Sequence, residues 1–176
     1  TYEEYQKLQK QREELQREQE AEKSSMTSSD QEVQEVLERG THYLRQIKES
    51  NEAIPGELIS EKISHMETVV QRILLRAKEH PEVIKDLDKL MDYYLPTTVK
   101  LLDAYEEMVS QPVQGENIRN SKKEIEDTLD TLNIAFEKIL DSIFQNEAWD
   151  ISSDISVLHT ILAQEGLTRD DFQKMK

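Results

Sequence analysis

A chain of 176 residues with 37 acidic and 22 basic side chains carries a net charge of −15, a field that repels nucleic-acid phosphate and anionic lipid. It has no cysteine, which excludes disulfides, thiolate metal sites and cysteine nucleophiles. Four glycines and four prolines are too few for the turns of a β-rich protein. A content of 36% apolar and 34% charged residues suits long amphipathic helices, each of which needs only an apolar stripe.

No apolar run reaches the roughly 20 residues that a membrane-spanning helix requires, and the N-terminus has no signal-peptide pattern. The chain opens at Thr1 already in a helical pattern. It is therefore read as a piece of a longer protein, and any membrane attachment is expected from sequence outside this chain.

Residues 1–23 are mostly Glu, Gln, Lys and Arg, with Tyr5, Leu8 and Leu15 on a heptad-like seam that Arg12 interrupts. This predicts a charged helical arm that pairs weakly with a second copy. Residues 24–29 read as a polar linker. Ser29 and Glu32 then form a capping box, followed by Val33, Val36, Leu37, Gly40, Leu44 and Ile47 at helical spacing. Pro55-Gly56 divides this helix from the next, with Pro55 expected as its first residue.

A second stripe runs from Leu58 to Ala77, and His80-Pro81 marks the following boundary. The third stripe keeps its phase from Val83 through Pro96 to Val109, which predicts one kinked helix rather than two. After the Pro112–Gly115 turn, Ile118 to Phe144 form the most regular stripe. A break is expected around residues 146–149. Asp150 or Ser152 would then cap a short last helix ending at Gly166.

Little in this pattern suggests catalysis. There is no glycine-rich phosphate loop and no Gly-x-Ser-x-Gly turn. Asp86-Leu87-Asp88 lies in a helical stripe, where solvated aspartates are expected. Glu38/His42 and Glu61/His65 share helix faces, yet lack the Glu-x-x-His spacing of bundle metal centres. No catalytic, cofactor-binding or metal-binding residue is assigned, and no cofactor is expected.

Trp149, the only tryptophan, is expected as a core plug at the bundle end, with an exposed partner anchor as the other reading. Of Tyr93 and Tyr94, one should pack inward and the other face solvent. With Pro96 and Asp150, these residues are the candidates for a partner-binding or architectural role.

Tyr93-Tyr94-Leu95-Pro96-Thr97-Thr98, Gln111 to Ile118, Thr128 to Asn133, Ala148 to Leu158 and Leu162 to Leu167 together resemble a bacterial family. It is the XpaC-like family named for 5-bromo-4-chloroindolyl phosphate hydrolysis, and the resemblance spans roughly residues 55 to 168. It implies a helical protein, often with membrane-spanning segments upstream, associated with toxic-anion (tellurite) resistance proteins. The family name implies a phosphatase but brings no catalytic residues to carry over.

The fold expected is all-α: an elongated bundle of three long helices and a short C-terminal helix over residues 30–168, with the charged N-terminal arm and a tail at 169–176. The function expected is a non-catalytic interaction or scaffold domain with a protein partner and no nucleic acid. Its expected location is the cytoplasm, at the inner membrane face where upstream sequence anchors it. The alternatives are a phosphohydrolase drawing on Glu124, Asp127 and Asp130, and a coiled-coil spacer.

Overall fold

The structure is a computed structural model that describes residues 1–25 and 28–167, with side chains for 1–22 and 28–167. Every element among the described residues is helical: α1 (Tyr2–Ser25), α2 (Ser28–Ala53), α3 (Glu57–Glu79), a 3-10 segment (Pro81–Leu87), a π turn (Leu90–Tyr94), α4 (Leu95–Val109), α5 (Glu116–Ser142) and α6 (Gln145–Gln164). No described helix is long and apolar enough to cross a membrane.

The all-α bundle with a charged arm is present, and its core is assembled from four segments rather than three. α2 packs on α3 and α4, and α5 closes the bundle against α3 and α4. Each has one apolar face. Ile47 of α2, Ile63, Met66 and Val70 of α3, Leu90, Leu95 and Leu102 of the third segment (the 3-10 segment, the π turn and α4), and Leu129 and Phe136 of α5 are fully enclosed. Gly40 lies where α2 crosses its neighbours, because a Cβ there would meet Leu74 Cδ2 and Met91 Cε.

Several boundaries differ from the sequence reading. Gly56, at φ 120°, makes the turn after α2 and caps α3. This conformation suits only glycine, so Pro55 precedes the helix instead of opening it. α2 starts at Ser28, one residue before the expected cap at Ser29. Ser24 and Ser25 belong to α1, and Ser28 and Ser29 to α2. The rest of the expected linker and the tail at 169–176 lie outside the described residues. Gly166 ends α6 at φ 69°, with Leu167 N–H returning to the Leu162 carbonyl at 2.8 Å, a Schellman closure.

The third segment is continuous through Pro96, as its phase predicts, but it absorbs the proline by widening. Leu95 N–H reaches back five residues to the Leu90 carbonyl. Such a single π turn inside an α-helix removes the backbone partner that Met91 O has in a regular α-helix, because Leu95 N–H is taken by Leu90 O. Arg39 of α2 supplies a replacement: its Nη2 donates to Met91 O at 3.1 Å and to Asp92 Oδ1 at 3.0 Å.

Candidate interaction surface

The polar side chains between core helices tie α3, α4 and α5 together, with Lys62 and Glu126 each taking part in more than one contact. Tyr105 OH donates to Glu126 Oε1 at 2.7 Å, joining α4 to α5. Burial, then the nearby Glu126 carboxylate, raises the Tyr105 phenol above its ordinary range. Lys62 Nζ pairs with Asp130 Oδ2 at 2.8 Å, and His65 Nε2 meets Glu137 Oε1 at 2.7 Å.

His65 thus looks across to α5 rather than to Glu61. Buried Asn133 donates to the Lys62 carbonyl at 3.0 Å, while its Oδ1 lacks a partner. Glu124 and Asp127 line a shallow depression on the outer face of α5, whereas Asp130 turns to Lys62 on α3. The three acids do not converge. Among the described residues no group of three or more histidines and acids is placed to hold a metal.

The α5–α6 junction is a short break at Ile143 and Phe144, with Phe144 at φ −91° and ψ 0°. It comes earlier than the sequence predicts, so Asp150 lies inside α6 rather than capping it. Arg76 of α3 holds this junction: its guanidinium stacks 4.1 Å from the Phe144 ring centre and pairs with Glu147 at 2.7 Å.

Beyond that point α6 buries none of its residues. Trp149 is 61% exposed, Ile151 51%, Ile155 48% and Leu158 53%. The core-plug expectation for Trp149 is therefore corrected. The bundle end is closed by Ile143 and by the Arg76–Phe144 stack, and Trp149 projects past it.

Phe144, Ala148, Ile151, Ile155, Leu158 and Leu162 alternate four and three residues apart, the spacing that lines one side of a helix for pairing with another helix. Trp149 and Asp150 lie off this seam. Tyr93 faces solvent, and Tyr94 packs inward with its ring centre 6.4 Å from that of Phe136, as the sequence predicts of the pair. Pro96 belongs to the bundle at the start of α4. The sequence reading missed the seam because it took residues 146–149 as a break, which hid its first turn.

α1 leaves Tyr5, Leu8 and Leu15 exposed, so both ends of the described chain are helices without a buried face.

Residues 3–158 match the family model described as "5-bromo-4-chloroindolyl phosphate hydrolysis protein". That range takes in the arm and most of α6, well beyond the stretch from residue 55 on which the motifs were read. No curated protein and no solved structure is significantly similar to the chain. With nearly all of the bundle and its arm inside the match, the chain belongs to the 5-bromo-4-chloroindolyl phosphate hydrolysis protein family.

Proposed function

We propose that this chain is a non-catalytic helical interaction domain that docks a protein partner through α6, with α1 as a second, more polar contact. One observation carries the reading: a 20-residue helix presents an apolar seam to solvent and contributes no residue to the core. A soluble helix without tertiary packing or a partner has little to hold its form, and a contiguous apolar patch marks an interaction site.

Trp149 is suited to act as an aromatic anchor beside the seam, with Asp150 next to it. Tyr93, Tyr94 and Pro96 act as architecture. In this reading the domain works in the cytoplasm, at the inner membrane face where upstream sequence anchors it, in the toxic-anion stress setting of its family.

The test is affinity capture from native extract by the intact chain and by the I151D/L158D variant. A partner retained by the first and lost by the second supports the reading. Identical capture profiles contradict it.

The family description supports a second reading, hydrolysis of aryl or indolyl phosphates. Purified protein is assayed with and without Mg²⁺, Mn²⁺ and Zn²⁺ against a mock purification. Metal-dependent turnover that D130N abolishes favours the enzyme; turnover equal to the mock favours the docking domain.

A further inference from the structure

We infer that the occupant of the α6 seam is a basic amphipathic helix of another protein, with Lys or Arg flanking its apolar stripe; this rests on the docking role proposed for α6. The seam itself accepts any helix with complementary spacing, so charge decides among occupants. Residues 139–168 contain no Lys or Arg. Along one edge of the seam lie Glu147, already paired with Arg76 of α3, and Asp154, with Asp150 beyond them. The opposite edge is uncharged at Gln145 and Ser152 and carries His159.

A second α6 brings the same acids and no cation. The chain's own arm is no better matched, because its seam residues Tyr5, Leu8, Arg12 and Leu15 are flanked by Glu4, Gln9, Gln11, Gln16 and Glu18. Anionic lipid is repelled by both the helix and the whole chain, at −15. A cationic helix satisfies both features at once. Its apolar stripe covers the seam, its flanking cations meet Asp154 and Asp150, and the field of the whole protein steers it in.

The test uses two helix-forming 21-residue peptides with Leu at the seam positions, one flanked by Lys and its twin by Glu. Binding to the intact chain is followed through Trp149 fluorescence and peptide anisotropy. The Lys peptide is expected to bind roughly tenfold more tightly at low salt, and the gap narrows as salt screens the charges. D150N/D154N is expected to weaken the Lys peptide about two- to fivefold, and I151D/L158D to abolish binding while adding negative charge.

Binding that survives I151D/L158D overturns the proposal, since it reports adhesion to the acidic surface alone. Equal affinity for the two peptides also overturns it, but leaves α6 as a docking face. Binding of neither peptide, with a dimer in sedimentation that I151D/L158D dissolves, overturns it in favour of self-pairing. Binding of neither, with a monomer, overturns the docking role as well.

Discussion

The Arg39 guanidinium donates to the carbonyl of Met91 at 3.1 Å, the oxygen that the wide turn before Pro96 deprives of its backbone donor. A proline in a helix costs a backbone bond and crowds the preceding turn. Here the π turn relieves the crowding and a side chain from α2 satisfies the carbonyl. The Tyr-Tyr-Leu-Pro-Thr-Thr run is therefore completed by a residue more than 50 positions earlier.

Arg39→Gln is expected to cost about 1–3 kcal/mol, because it leaves a half-buried carbonyl without its partner. Asp92→Asn is expected to cost well under about 1 kcal/mol, since the Arg39–Asp92 pair is largely in solvent. Urea unfolding of the two variants checks the order.

The chain's helical periodicity made the all-α bundle legible, because apolar residues at three- and four-residue spacing admit little else. Kinked continuity through Pro96 was legible for the same reason: the stripe keeps phase from Val83 to Val109. Arg39 was not legible, since nothing local marks an arginine as the cap of a distant carbonyl. Neither was the position of Trp149. Burial is a tertiary property, and a lone Trp beside Ile151 and Ile155 reads first as core, although the structure leaves it exposed. The inter-helix links of Asn133, Lys62 and His65 depend on how α3 meets α5, which single-helix spacing does not encode.

Asn133 is 7% exposed with an unpartnered Oδ1. Asn133→Leu removes an orphaned buried acceptor but also the donor to the Lys62 carbonyl, so the stability of the chain is expected to change by under about 1 kcal/mol. Asn133→Asp is expected to destabilise it by several times that amount, through burial of a charge. Thermal unfolding at neutral pH separates the two.

At Gly40 a modest gain in helix propensity competes with a crowded contact. Gly40→Leu is expected to cost about 1–3 kcal/mol by overpacking against Leu74 and Met91. A stable, unaltered Gly40→Leu bundle in circular dichroism and urea unfolding contradicts the close approach of α2 to its neighbours.

Tyr105 gives a pH signature. Its phenol is held protonated above the ordinary tyrosine range by burial and by Glu126, so above pH ~10 the unfolded chain releases a proton that the folded chain retains. Stability is therefore expected to be full below the unfolded value and to fall as pH rises from there toward the folded value. Tyr105→Phe is expected to flatten that fall. The phenolate absorbance difference between the native protein and the variant should appear only beyond the usual tyrosine range.

Substitutions on α6 should separate stability from binding. I151D/L158D is expected to change unfolding free energy by under about 0.5 kcal/mol, as exposed positions do, whereas Leu129→Ala in the core is expected to cost about 2–5 kcal/mol. A large destabilisation by the α6 variant contradicts a helix that stands clear of the bundle.

The most direct test of a docking role is site-specific photo-crosslinking in native extract, with the reactive residue at position 158 on the α6 seam or at position 123 on the outer face of α5. A discrete protein adduct at 158, absent at 123, is the predicted result. No adduct at 158, or the same adducts at both positions, contradicts α6 as the docking surface.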